Sequence, residues 1–182
     1  MCEVSDAIAF AVESHRGQFR KGVPHLPFVV HPMDVFMTLR DWGIDEPLIW
    51  KAAICHDVVE DCDVTLEKLS SVIGSDAASI VGELTFFPDP DSPVSKQQQK
   101  SDYMASFATK SVEALVIKVA DRICNTSDFH NSESITDHQY AYKYWNKAKD
   151  LMDAFVNRTD EVLQRFTINE PAVIVSSFED QL

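Results

Sequence analysis

The chain has 182 residues, 45% of them hydrophobic and 25% charged, with a formal net charge of −13 from 16 Lys and Arg against 29 Asp and Glu. That length supports one domain with a substantial core, and the composition is that of a soluble globular protein. The acidity excludes a general nucleic-acid binder, whose affinity comes from neutralising phosphates with Lys and Arg, and no apolar run is long enough to predict a membrane span. A small anionic substrate stays admissible if a metal or a few placed basic residues make a locally positive site.

The pattern is helical nearly throughout, so the predicted fold class is all-α, a single domain. The opening MCEVSDAIAFAVESH is interrupted by Glu3, Asp6 and Glu13 and reads as part of a helix over 4–18, not as a signal peptide. GVPHLPFVV (22–30), with two prolines, is an irregular connection to a helix over 32–42. Pro32 suits the first turn of that helix and puts His31 at or near its N-cap. A long helix is predicted over 46–61, then helices over 65–73 and 76–86, with Thr65 as N-cap and Gly74 as C-terminal punctuation. FFPDPDSPVS (86–95), with three prolines, is a loop of the kind that is often functional. Helices over 95–108, 111–128 and 136–166 follow, and residues 169–182 form a tail in which PAVIVSSFEDQL begins at a proline. Cys2, Cys55, Cys62 and Cys124 form no C-x-x-C pair, so a reduced, cytoplasmic setting is expected.

The chemistry concentrates in ICHDVVED at 54–61. On a continuous helix His56, Asp57, Glu60 and Asp61 fall at roughly 0°, 100°, 40° and 140°, one polar arc, while Ala52, Cys55, Val58 and Val59 take the core side. Such an arc is either a solvated face or a place for metal chemistry. His31, beside a proline, and Asp121, in the apolar helix EALVIKVADRICN, are the candidate further ligands. Asp121 shares a stripe with Lys118 and Asn125, and a carboxylate buried there needs a cation or a strong donor; Arg122 next door is the structural alternative. Two His plus two Asp form a mixed N/O set that suits Mn²⁺, Fe²⁺, Zn²⁺ or Mg²⁺. Glu60 and Asp61, one turn beyond His56 and Asp57, are placed to orient an attacking water or take its proton. Acids near a helix C-terminus oppose the helix dipole, which argues for a cation nearby.

HRGQFRKG (15–22), VVHP (29–32), AAICHDVVEDCDVT (52–65) and VIKVADRICN (116–125) stand in the order of the motifs of the HD-domain phosphohydrolases. More narrowly the chain resembles the ppGpp hydrolases of the RelA/SpoT type, in the stand-alone small form that contains only the hydrolase half. YAYKYWNKAKDLM is similar to the final helix of that form. The resemblance implies an HD-domain helical bundle over 1–168 and a single Mn²⁺ held by His31, His56, Asp57 and Asp121. It makes Glu60 and Asp61 the catalytic pair, Arg20 and Lys21 contacts to the base and its surroundings, and Asn125 a nucleoside contact. Tyr142 and His138 fall at substrate-contacting positions of the small forms, although Tyr142, three residues before Trp145, also fits a packed aromatic at helical spacing. Lys96 and Lys100, on or just after the proline-rich loop, either reach the distal phosphates or are solvated surface lysines. The implied reaction is hydrolysis of the 3′-pyrophosphate of ppGpp or pppGpp to GDP or GTP plus pyrophosphate, with a small nucleotide as the partner and neither nucleic acid nor membrane.

The chain departs from the family pattern at Phe28 (usually Tyr), at His138 (usually a basic residue), and at Cys124 with Thr126-Ser127-Asp128. None is a proposed metal ligand, so the departures bear on substrate identity. The rival readings are a phosphohydrolase for another nucleotide, an adenosine alarmone or the 2′-phosphate of NADPH, and a nucleotide sensor without turnover.

Overall fold

A computed structural model describes residues 3–21, 25–130 and 149–168 of the chain, and the described residues are helical with no strand. α1 (Val4–Ser14) starts where the Glu3 amide donates to the Asp6 carboxylate at 3.0 Å. It buries Ala7 and Ala11, small side chains one turn apart that let it pack closely on α3 and α5. The predicted helix over 4–18 ends early, because Gly17 turns the chain at φ +80°. The loop that follows is closed by an isolated bridge between Phe19 and Pro27 and by the Arg20 amide donating to the Leu26 carbonyl at 2.9 Å.

α2 (Val30–Asp41) buries His31, Val35 and Leu39 on one stripe at i, i+4 and i+8. His31 is its second residue and Pro32 its third, so the histidine sits inside the first turn instead of at the cap. α3 (Pro47–Ile54) begins at a proline, and after a short turn comes α4 (Val58–Asp61). α5 (Leu66–Ile73) is capped by Thr65, whose hydroxyl accepts the Lys68 amide at 3.2 Å. Gly74, at φ +91°, separates it from α6 (Ser75–Leu84). The proline-rich stretch is irregular up to α7 (Lys96–Ala105), which Ser95 caps and a 3₁₀ turn at Ser106–Ala108 completes.

α8 (Val112–His130) is apolar nearly all round from Ala114 to Ala120, as a helix through the middle of a bundle must be. It packs on α2, α3, α6 and the last helix, and so carries Asp121 into the centre of the molecule. Of the helix predicted over 136–166, the described part is two pieces, α9 over 149–157 and α10 (Thr159–Arg165). The break falls at Arg158, whose guanidinium donates to the carbonyls of Phe107 (3.2 Å) and Lys110 (2.7 Å) and so caps chain ends on the neighbouring element. No helix among the described residues is long and apolar enough to cross a membrane.

Candidate metal centre and its cavity

The helix predicted over 46–61 is interrupted at Cys55–Asp57. The His56 Nδ1–H donates to the Ala53 carbonyl at 2.7 Å and takes the acceptor that a regular ladder would give to the Asp57 amide. The chain tightens, with the His56 amide on Ala53 and the Val58 amide on Cys55. The single arc of the continuous helix is thereby replaced: His56 turns inward and is buried, while Glu60 and Asp61 on α4 face open space.

His56 meets residues from α2 and α8. Its Nε2 lies 3.2 Å from Asp57 Oδ2 and 3.8 Å from Asp121 Oδ1. His31 Nε2 lies 3.0 Å from Asp121 Oδ1 and 3.8 Å from Asp57 Oδ2. The two rings stand edge to face with centroids 5.2 Å apart. Nδ1 of His56 holds a proton for Ala53, so a neutral ring would turn the lone pair of its buried Nε2, which has no hydrogen-bond partner, toward Asp57 and Asp121. A lone pair directed at two carboxylates repels them unless a cation joins the group. The second oxygen of Asp121 takes the Lys118 ammonium at 2.8 Å, and the Asn125 amide donates to the first.

The protonation equilibria report the same demand for positive charge. Burial alone would lower the pKa of His56, but the negative charges of Asp57 and Asp121 outweigh it and raise it to about 10. Burial would raise Asp57, and the charge of His56 instead brings it down to about 2. Asp121 is held well below the usual carboxylate range despite burial, chiefly by the charge of Lys118.

Glu60 and Asp61 complete this side. The Glu60 carboxylate accepts the Phe86 amide at 3.1 Å, tying α4 to the start of the proline-rich loop. The Asp61 carboxyl is pushed up by partial burial and then by the charges of Asp57 and Glu60. Its carbonyl accepts the Gln18 amide at 3.0 Å, and Gln18 Oε1 in turn accepts from the buried His15 at 2.8 Å.

Asp57, Glu60, Asp61, Asp121 and Gln18 border a cavity of about 600 Å³, with the buried His31 and His56 against the two metal-site carboxylates. Arg20 lies over the Phe28 ring at 5.5 Å and donates to Asn125 Oδ1 at 2.8 Å, which leaves its plane held at the cavity wall. Lys21, Asn125 and Lys100 line the cavity as well, Lys100 with its ammonium 5.6 Å above the Phe86 ring. Lys96 does not: it is exposed at the first position of α7, one turn away from Lys100, outside the lining residues. Tyr142 and His138 lie outside the described residues.

The sequence offered Arg122 as an alternative partner of Asp121. The ion pair found is with Lys118, because three residues bring a side chain back to the same helix face whereas one residue rotates it by about 100°. Arg122 lines the cavity, as do Gln18, Phe86 and Tyr103, none of which was singled out. His15 and Gln18 did carry a signal, three residues apart within HRGQFRKG.

A family model described as HD domain matches residues 7–146. The chain belongs to the HD-domain family. Its relatives include the Xenopus tropicalis protein named guanosine-3′,5′-bis(diphosphate) 3′-pyrophosphohydrolase MESH1, 32% identical over 69% of this chain and 68% of that protein. The Drosophila melanogaster protein of the same name is 30% identical over 81% of this chain and 82% of its own length. A probable guanosine-3′,5′-bis(diphosphate) 3′-pyrophosphohydrolase of Synechocystis is 33% identical over 68% of this chain, but the match spans only 16% of that longer protein. Among solved structures, a metazoan ortholog of SpoT that hydrolyses ppGpp superposes with a TM-score of 0.74 at 26% identity, covering 91% of this chain and 96% of that one.

The centre of this HD domain fits a divalent metal. The ligand atoms of His31, His56 and Asp121 all lie within 4.8 Å of one another, with Asp57 beside the histidines. The buried Nε2 of His56, without a hydrogen-bond partner, is the observation that asks for it. Its Nδ1–H, fixed on a backbone carbonyl, is the outer hydrogen bond that metal-binding histidines ordinarily make.

Proposed function

We propose that this HD domain is a metal-dependent phosphohydrolase that removes the 3′-pyrophosphate of ppGpp or pppGpp, giving GDP or GTP and pyrophosphate. The observation that carries it is one cavity holding both parts of the chemistry. The His31, His56, Asp57 and Asp121 group stands beside two further acids, Glu60 and Asp61, and the same cavity carries Arg20, stacked on Phe28. The names of the MESH1 relatives supply the substrate and the reaction.

In this reading His31, His56, Asp57 and Asp121 hold one Mn²⁺, which supplies Lewis acidity for phosphate oxygens and water. Arg20, over Phe28 and held by Asn125, stacks on a purine, and Lys21 meets the adjoining phosphate or ribose. Glu60 and Asp61 orient the attacking water and accept its proton, and the raised pKa of Asp61 makes it a better base than an ordinary aspartate. Lys100 meets phosphate at the cavity wall. Residues 1–168 make up the HD domain, with 169–182 as a tail.

The deciding experiment is turnover of ppGpp with Mn²⁺, scoring pyrophosphate against orthophosphate. Stoichiometric pyrophosphate supports the reading. Release of orthophosphate from NADPH alone, with ppGpp left intact, overturns it.

A further inference from the structure

Lys118 has no part in the chemistry above, yet it is buried, with 9% of its surface exposed, in the wall of the same cavity. Its ammonium pairs with Asp121 Oδ2 at 2.8 Å, while the histidines approach the other carboxylate oxygen. An ammonium has three donors, and among the described residues the ion pair with Asp121 is its one polar contact.

Two roles compete. As a structural prop, Lys118 would neutralise a buried Asp121. Charge decides against that. A divalent metal among two neutral His and two Asp is already balanced, so Asp121 needs no second cation, and a buried ammonium is costly to desolvate. An apolar side chain would serve the core better. The surplus positive charge suits a site whose ligand is a polyanion and whose other neighbours, Glu60 and Asp61, are negative.

We propose that Lys118 is a phosphate-contacting residue, donating one of its remaining N–H groups to a phosphoryl oxygen of the substrate. This rests on the phosphohydrolase reading of the cavity. It also extends the basic wall from Lys100 on α7 to α8.

The test is equilibrium binding of inorganic pyrophosphate to the Mn²⁺-loaded protein at fixed free Mn²⁺, for wild type, Lys118→Met and Lys118→Arg. Mn²⁺ affinity is measured separately from the paramagnetic signal of the free ion, and folding by circular dichroism. Lys118→Met is expected to weaken pyrophosphate binding by about tenfold or more, the weight of one charge-assisted hydrogen bond, with Mn²⁺ affinity not weakened. Lys118→Arg, which keeps the charge, should recover most of that loss. Unchanged pyrophosphate binding in Lys118→Met overturns the proposal. So does a parallel loss of Mn²⁺ affinity of about tenfold, the mark of a prop for a metal ligand. The readout is binding, so a wild type that leaves ppGpp intact refutes the substrate reading separately, whatever Lys118→Met shows.

Discussion

Replacing Gln18 with Leu tests whether the loop that carries Arg20 also holds the catalytic acids in place. Gln18 joins three parts of the molecule: its amide donates to the Asp61 carbonyl at 3.0 Å, its Oε1 accepts from His15 at 2.8 Å, and its own carbonyl accepts the Phe28 amide at 2.9 Å. Leucine keeps the volume and removes these two side-chain bonds together with the weaker one from the Gln18 amide to Cys62 Sγ at 3.7 Å. The Asp61 carbonyl can turn to water, but His15 is 3% exposed and its Nε2 has no hydrogen-bond partner, so its Nδ1 keeps only the weaker thiol of Cys62 at 3.4 Å. One buried donor left nearly unsatisfied costs about 1–3 kcal/mol. For a chain of this size that lowers Tm by roughly 3–10 °C. Freed from its tether, Asp61 should drift, and kcat for ppGpp should fall by about tenfold with little change in KM. Gln18→Glu separates the two effects: it still accepts from His15, sparing much of the Tm, but sets an acceptor against the Asp61 carbonyl and keeps the loss in kcat. Scanning calorimetry and Mn²⁺-dependent turnover read both. An unchanged Tm together with wild-type kcat in Gln18→Leu would refute the coupling.

Asp121→Ala should abolish stoichiometric Mn²⁺ binding; retention of a full equivalent in a titration would refute the ligand set. Glu60→Ala and Asp61→Ala should each lower kcat by about 10²–10⁴-fold while Mn²⁺ affinity holds, and wild-type rates in both would remove them from the catalytic step. A pH test uses Lys110, whose ammonium lies over Tyr103 at 4.1 Å and Phe107 at 4.5 Å and whose pKa burial lowers to about 8. The unfolded lysine binds the proton more tightly, so its burial costs stability below pH 8, and the cost is relieved as pH rises from 8 through 10.5. Wild type should therefore gain on Lys110→Met across that range in thermal melts, and a constant difference between the two would contradict the assignment.

What was legible in the sequence was local. Helix spacing put Lys118, Asp121 and Asn125 on one stripe, and cap chemistry marked Thr65 and Gly74. Those patterns depend on a 3.6-residue period and on a few backbone hydrogen bonds, which a short segment determines unaided. Residue types alone identified His31, His56, Asp57 and Asp121 as a chemically sensible metal set, and the motif order indicated the HD-domain resemblance.

Tertiary structure decided the rest. His31 and Asp121 are 90 positions apart and meet at 3.0 Å only because α2 and α8 pack face to face. The break at Cys55–Asp57 was hidden in a helical pattern, since it depends on the His56 ring taking the Ala53 carbonyl inside the core. Lys96 and Lys100 are indistinguishable by propensity, one turn apart on α7, and packing alone brings Lys100 to the cavity and leaves Lys96 in solvent. The sequence by itself determined which groups were available and on which helical faces. The convergence of those faces on one cavity, with a buried imidazole nitrogen aimed at two carboxylates, is a property of the packed bundle, because it is set by contacts between segments far apart in the chain.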